Sequence, residues 1–298
     1  MATRIRKVII PATGLGTRFL PATKVVPKEL LPIAGKPLIQ FAVEEAVASG
    51  LDTIILVVNQ GKNLIAEHFF HNNYLEDALH HLGCHEEAAL IEKLSELAEI
   101  HTVWQETPLG LADTIRSARA MVGDEVFAVI LPDVLIDGPV PCILQLVSCY
   151  QKHAGCIVGV QTRIPGEEGR FGTLDVLPIP GPCCASHTMR VAAFAERHRP
   201  GAASPAQQIV GRYLLEPEIF ACVDHLTPGV QGELRFGDAL SLFSQKASLY
   251  AHQIEGHCYD TGSKFGFLRA SLAYALKDPE LAGPLHDYLA GLTEDVPA

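Results

Sequence analysis

The chain has 298 residues, of which 48% are hydrophobic and 19% charged, and its 23 Lys and Arg against 34 Asp and Glu give a net charge of -11. This globular composition excludes a disordered chain, and the length favours one large domain. No apolar run reaches the roughly 18 residues of a membrane span, and the basic start has no long apolar stretch before Pro11, so we expect a cytoplasmic protein without a secretory signal.

Apolar runs of strand length alternate with helical patterns along the first half. The predicted strands are 8–10, 53–58, 101–105 and 126–131, and the predicted helices are 37–49, a segment from about 62, 74–82, 86–97 and about 111–121. The less regular second half predicts helices at 143–153, 238–246 and 264–276, and strands at 156–162, 171–177, 190–196, 209–215 and 249–254. Because most strands lack polar alternation and are followed by helices, we predict an α/β fold with a parallel sheet covered on both faces.

Charge is distributed unevenly along the chain. Residues 1–36 hold seven basic residues and one acid, a net +6, which leaves -17 for the remainder. A cationic segment in an otherwise acidic protein favours a compact anionic ligand over nucleic acid, which the rest of the surface would repel. A chance cluster of cations on a solvated loop is the alternative interpretation.

The first predicted strand leads into a loop with a glycine pair, Gly14 and Gly16, followed by Arg18 and Lys28. Glycines let backbone amides approach an anion, and the two cations can neutralise phosphate charge. The dinucleotide fingerprint fails because Phe19 stands where a third glycine is needed, and no Gly-Lys-Ser/Thr completes a Walker motif. A hydride-transfer site is therefore disfavoured, and a basic loop at the carboxyl end of a strand remains.

Two acidic residues follow predicted strands at the same edge of the sheet. Asp133 comes after the run ending at Leu131, and Asp260 lies between a strand and a helix. Each alone is well explained as a cap of a turn or helix. Together, beside phosphate-binding cations, they have the chemistry required to hold Mg²⁺.

Several motifs in order resemble the bacterial UTP:glucose-1-phosphate uridylyltransferases, within the sugar-1-phosphate nucleotidyltransferase superfamily. They are GLGTR from residue 14, PATKVVPKELLPIAGKPLIQ from 21, ILPDV from 130, IVGRY from 209 and YDTGSKFGF from 259. The resemblance implies one domain over 1–298, with a Rossmann-like mixed, mainly parallel sheet. It divides the chain into a nucleotide-binding half to about 135, a smaller sugar-binding half over about 136–276, and a tail over 277–298. It also implies Mg²⁺ dependence, UTP and glucose 1-phosphate as substrates, and a homodimer or homotetramer.

The resemblance also assigns roles to single residues. It implies nucleotide contacts at Gly14, Gly16, Thr17, Gln105 and Gly110, catalytic cations at Arg18, Lys28 and Arg197, metal ligands at Asp133 and Asp260, and sugar contacts at Gly172 and Glu196. Since Lys28 lies in the loop motif and Lys62 does not, we expect the loss of Lys28 to cost far more activity than the loss of Lys62.

The chain departs from the family pattern at three places. Glu196-Arg197-His198 replaces Glu-Lys-Pro, GLADT from Gly110 replaces GLGHA, and GELRFGDA from Gly232 replaces GEIQLTDA. These departures motivate two alternatives to a uridylyltransferase. One is a non-catalytic regulatory homologue that binds a nucleotide sugar or a catalytic partner, and the other is a thymidylyltransferase-like enzyme that uses dTTP.

Arg197→Ala is expected to raise the apparent KM for glucose 1-phosphate and to lower kcat, because the guanidinium can hold two phosphate oxygens. Arg197→Lys restores the residue usual in the family and should retain activity or improve it. Titration of glucose 1-phosphate at saturating UTP and Mg²⁺ measures KM and kcat for both variants. Robust turnover unaffected by Arg197→Ala would instead direct attention to His198 or Arg199.

Overall fold

The computed structural model describes residues 4–162, 172–179, 187–195, 207–229 and 232–295. Its strands are β1 Lys7–Ala12, β2 Pro32–Ile33, β3 Lys36–Pro37, β4 Thr53–Val58, β5 Glu99–Trp104, β6 Phe127–Ile130, β7 Val134–Asp137, β8 Cys156–Thr162, β9 Thr173–Pro178, β10 Thr188–Ala195, β11 Gln207–Leu215, β12 Leu249–Gln253 and β13 His257–Asp260. Its helices are α1 Leu38–Ala48, α2 Leu64–Glu67, α3 Asn73–Leu82, α4 His85–Ser95, α5 Leu111–Ser117, α6 Arg119–Val122, α7 Cys142–His153, α8 Ile219–Asp224, α9 Phe236–Ser244, α10 Lys264–Ala275 and α11 Ala282–Asp295.

One sheet of nine strands extends through both halves of the chain, in the order β5-β4-β1-β6-β11-β8-β12-β10-β9. The strands β5, β4, β1 and β6 are parallel neighbours. Antiparallel pairing begins at β11, which lies between β6 and β8. Among the described strands of this sheet only β10 and β11 run against the common direction, so the predicted mixed, mainly parallel sheet is confirmed.

Both faces of the sheet are buried, which explains why its first strands read as unbroken apolar runs. Successive side chains of a strand point to opposite faces, so Ile9 packs on one side while Val8 and Ile10 pack on the other. The Ile9 side is covered by α5, α8 and α9. The Val8 side is covered by α1 and α7. The prediction of helices on both faces is confirmed.

The sequence did not predict several elements. The strands β7 and β13 form an antiparallel ladder of their own, and β2 pairs with β3. The helix expected over 111–121 is interrupted at Ala118, and the segment called a tail contains α11. The missed strands have two to four residues, too few for a periodic pattern to emerge. Within the described residues, no helix is long and apolar enough to cross a membrane.

A buried ion pair links the sheet to the helix α1. Arg212 of β11 is 1% exposed, and its guanidinium donates to both carboxylate oxygens of Glu45, with Nη2 at 2.8 Å from Oε2. The same guanidinium donates to the carbonyl oxygens of Leu131 at 3.0 Å and of Val134 at 2.8 Å. The turn that contains Asp133 is therefore held at both ends by one side chain.

Glu45→Ala is expected to lower the free energy of unfolding by about 3 to 5 kcal/mol, because the guanidinium of Arg212 stays buried without its counter-charge. Glu44→Ala on the same helix is the matched control. Glu44 pairs with Lys36 in a half-exposed position, where an ion pair contributes about 0 to 1 kcal/mol. Urea denaturation measures both variants. Equal losses of unfolding free energy in the two variants would show that Glu45 does not balance the charge of Arg212.

Candidate active site

A cavity of about 450 Å³ opens at the carboxyl ends of β1 and β6, the edge at which open α/β sheets bind ligands. It is lined by Pro11, Thr13, Gly14, Leu15, Thr17, Lys28, Pro108, Gly110, Leu111, Thr114, Leu131, Pro132, Asp133 and Glu233. Five residues predicted for the site are in this lining, namely Gly14, Thr17, Lys28, Gly110 and Asp133. The fold therefore brings together predicted residues as far apart in the sequence as Gly14 and Asp133, which are separated by 119 positions.

The glycine loop is a sequence of tight turns rather than the start of a long helix. Gly16 has a φ of 66° and precedes a single 3-10 turn at 17–19. Its carbonyl oxygen accepts a hydrogen bond from Thr23 Oγ1 at 2.7 Å, which folds the loop back on itself. The side chain of Arg18 extends from this turn toward α10, and its Nη1 lies 3.4 Å from the carbonyl oxygen of Gly262. The loop thus connects the cavity with the Asp260 segment.

Lys28 and Asp133 form an ion pair at the mouth of the cavity. Lys28 Nζ donates to Asp133 Oδ2 at 2.6 Å, and both side chains are partly buried. Burial lowers the pKa of Lys28, but the carboxylates of Asp133 and Glu29 outweigh it and hold the pKa above its ordinary value. Lys28 is therefore a cation at neutral pH, and a carboxylate predicted to bind metal is neutralised by a cation predicted to bind phosphate.

Asp260 reaches the same place through the ladder of β13 with β7, in which it pairs with Val134. The first turn of α10 packs directly against the Asp260 backbone. Ser263 caps this helix, and Gly266 has no side chain to collide with the Asp260 carbonyl. A Cβ on Gly262 would lie 3.1 Å from Asp260 Oδ1, 3.4 Å from Asp133 Oδ2 and 3.6 Å from Arg18 Nη1. Three side chains from separate motifs therefore converge on one point.

The two converging carboxylates fit a small hard cation. Mg²⁺ is commonly held by one or two carboxylates, with phosphate oxygens and water completing its shell. No group of three or more His, Cys, Asp or Glu side chains suited to a metal occurs in the described parts of the chain. A cation bound by Asp133 and Asp260 would therefore leave coordination positions for the phosphates of a ligand.

Gln105 is 4% exposed, and it is absent from the cavity lining among the described residues. Its Nε2 donates to Asp113 Oδ2 at 2.5 Å, and its Oε1 accepts from Thr114 Oγ1 at 3.0 Å. Asp113 and Thr114 are the two polar residues of GLADT, the segment that stands where the family has GLGHA. These two residues therefore hold the amide of Gln105 in one orientation. Direct contact of Gln105 with a base stays a prediction.

Gly110 lines the cavity at the N-terminus of α5, in a conformation that residues with a side chain rarely adopt. Its φ is 94°, and a Cβ there would lie 2.8 Å from the carbonyl oxygen of Leu234. That carbonyl accepts from Ala112 N at 3.3 Å, and Leu234 N donates to Leu109 O at 2.7 Å. The segment after Gly232 is therefore packed against the predicted base-binding turn by backbone hydrogen bonds.

The predicted sugar contacts are either absent from the lining of this cavity or outside the described residues. Gly172 precedes β9, and its carbonyl oxygen accepts from Ile209 N at 3.0 Å. Glu196 and Arg197 lie outside the residues that the structure describes. All three roles stay predictions.

Comparisons with known proteins identify the family. The sequence profile of the nucleotidyl transferase family matches residues 7–277. The chain belongs to this family. It is 40% identical over 290 residues to the UTP–glucose-1-phosphate uridylyltransferase of Bacillus subtilis (strain 168), over 97% of each chain. The assignment made from the motifs is confirmed.

Solved structures agree with this relationship. A UTP-bound UGPase from Acinetobacter baumannii is similar to this nucleotidyltransferase with a TM-score of 0.88, at 32% identity, over 96% of this chain and 99% of that one. A UDP-glucose pyrophosphorylase complexed with UDP-glucose has a TM-score of 0.80 at 33% identity, over 92% of this chain and 100% of that one. The predicted fold class is thereby confirmed for this enzyme.

A second pair of polar side chains in the nucleotidyltransferase, Asn59 and Lys62, follows β4 at the same sheet edge and was not predicted from the sequence. Lys62 Nζ donates to the carbonyl oxygen of Gly14 at 2.6 Å and to Glu29 Oε2 at 2.9 Å. The loss of Lys62 was expected to cost much less activity than the loss of Lys28. These contacts argue against the use of a Lys62 variant as a control for Lys28. The available signal was the position of both residues within four positions of the end of a buried strand.

Proposed function

We propose that this nucleotidyltransferase transfers a uridylyl group from UTP to glucose 1-phosphate, giving UDP-glucose and pyrophosphate. The observation that carries the proposal is the convergence of Asp133, Asp260 and Arg18 beside a glycine-lined cavity that also presents Lys28. Relatives named for this reaction at 40% identity over nearly the whole chain support it. A homo-oligomer, as expected from the resemblance, stays a prediction.

The chemical obstacle is to bring two phosphate-bearing anions together, and the cations of the site address it. Arg18 and Lys28 are placed to hold the leaving pyrophosphate, and preorganised charge of this kind is a major source of rate enhancement. Lys28 is paired with Asp133, so it becomes available to a phosphate oxygen when another cation neutralises that carboxylate. A divalent cation held by Asp133 and Asp260, which we propose to be Mg²⁺, would supply charge to the phosphate oxygens.

The reaction makes no demand for a general base from the protein. A phosphate monoester has its second pKa near 6, so most of the sugar phosphate is a dianion near neutral pH. Its oxygen can attack the α-phosphorus without losing a proton to a side chain. The role of this chain is therefore binding, orientation and charge neutralisation, with Arg197 proposed as the cation for the sugar phosphate.

We expect UTP to be the preferred nucleotide, with dTTP as its closest competitor. Gly110 lines the cavity. Asp113 and Thr114 occupy one donor and one acceptor site of the Gln105 amide, and its second N–H and second lone pair match a uracil or thymine edge. The measurement is pyrophosphate release from UTP, dTTP, CTP, ATP and GTP with glucose 1-phosphate. Preferential use of dTTP would favour the thymidylyltransferase alternative. Binding without turnover of any nucleotide would favour the regulatory homologue.

Asp133→Asn and Asp260→Asn are each expected to abolish divalent-cation-dependent turnover while the protein stays folded, since each removes a hard anionic ligand with little change in shape. Asp224→Asn is the control, because Asp224 forms a surface ion pair with Arg119. Calorimetric titration with Mn²⁺ in the presence of UTP measures metal binding directly. Near-native turnover in either variant would remove that residue from the metal site.

A further inference from the structure

The glycine loop lines the cavity, and two residues that follow β4 donate hydrogen bonds to its backbone carbonyls. Asn59 Nδ2 donates to the carbonyl oxygen of Thr13 at 2.9 Å. Lys62 Nζ donates to the carbonyl oxygen of Gly14 at 2.6 Å. Asn59 and Lys62 are both buried, the latter with 8% exposed. Two consecutive peptide carbonyls of the loop therefore point toward the end of β4.

The direction of these carbonyls determines the direction of the amides that share their peptide units. In a trans peptide the C=O and the following N–H point to opposite sides. Because the carbonyls of Thr13 and Gly14 point toward Asn59 and Lys62, the N–H groups of Gly14 and Leu15 point away from them. Residues 13–15 line the cavity, and successive backbone amides directed to one side form an anion-binding concavity.

Lys62 also connects this loop to the segment that carries Lys28. Its ammonium lies 2.9 Å from Glu29 Oε2 and 3.1 Å from Oε1, and Glu29 is only 1% exposed. Burial raises the pKa of Glu29 and lowers that of Lys62, and their mutual attraction opposes both shifts. One buried ammonium thus fixes the Gly14 carbonyl and the residue next to Lys28.

We propose that Lys62, together with Asn59, is a positioning residue of the nucleotide site. It turns the amides of Gly14 and Leu15 toward the triphosphate and fixes the backbone from which Lys28 extends. This inference rests on the proposed function, because it assumes that the cavity binds a nucleoside triphosphate. The competing explanation is that Lys62 only neutralises Glu29, which would make it structural.

Four variants separate positioning from charge neutralisation. Lys62→Met removes the ammonium, Glu29→Gln removes the buried charge, and the double variant removes both. Asn59→Asp keeps the shape of the side chain but removes its donor to Thr13, without touching Glu29. Lys36→Met is the matched control, since it deletes one cation from the half-exposed pair with Glu44. Each protein is titrated calorimetrically with UTP, assayed for its KM for glucose 1-phosphate, and melted.

Lys62→Met and Asn59→Asp should each weaken UTP binding by about tenfold or more. The first loses a hydrogen bond from an ammonium to the Gly14 carbonyl, and the second places a carboxylate oxygen against the Thr13 carbonyl oxygen, where neither group can donate. The KM for glucose 1-phosphate should stay at the level of Lys36→Met. In the double variant the melting temperature should rise above that of both Lys62→Met and Glu29→Gln, because neither a carboxylate nor an ammonium is left buried without its partner. Its UTP affinity should remain low, because no cation holds the Gly14 carbonyl.

Recovery of both the melting temperature and UTP affinity in the double variant would overturn the inference and leave Lys62 with a structural role. Unchanged UTP affinity in a folded Lys62→Met would overturn it as well. The proposed function fails separately, if the wild type binds UTP but forms no UDP-glucose. In that case the affinities of the variants still decide the role of Lys62. A wild type that binds no nucleotide would overturn both.

Discussion

The arrangement of the site depends on the buried guanidinium of Arg212. Its burial is unfavourable unless every N–H finds an acceptor, and Glu45 with the carbonyls of Leu131, Val134 and Gly211 provides them. Because Arg212 lies on β11, where the sheet changes from parallel to antiparallel, the pair fixes the strand junction and the Asp133 turn together. Glu45 also accepts from Ile143 N at the start of α7. One ion pair thus joins two helices, two strands and the acidic turn.

The two acids of the site are held by backbone structure, although they are 127 positions apart in the sequence. The β7–β13 ladder pairs Asp260 with Val134, the residue after Asp133. Thr261 Oγ1 donates to the Asp133 carbonyl at 2.8 Å, and Gly262 N donates to Asp260 Oδ1 at 3.1 Å. Contacts of this kind limit how far either carboxylate can move. Fixed carboxylates are what a site needs if it is to hold a cation in one place while phosphates are exchanged.

The parallel half of the sheet was predictable because its strands are buried on both faces and their ends meet at one edge. That logic placed Gly14, Lys28 and Asp133 together correctly. It did not find the β7–β13 ladder, whose strands have four residues each and pair residues 120 to 126 positions apart. Nor did it find Lys62, whose partner Gly14 is 48 residues away. Gln105 was predicted to contact the base, and nothing in the sequence indicated that Asp113 and Thr114 bond its amide.

Net charge was a weaker guide to the site than strand ends. The +6 of residues 1–36 suggested a general attraction for an anion, yet acids from elsewhere pair with much of it. These pairs are Arg4 and Arg6 with Asp52, Lys7 with Glu125, Lys28 with Asp133, and Lys36 with Glu44. What distinguishes Lys28 is therefore its location rather than its charge, because its partner is itself a candidate metal ligand at the cavity. A divalent cation that competed for this carboxylate would separate the pair. The long side chain of Lys28 would then be free to reach a phosphate oxygen, which is the arrangement that the proposed reaction requires.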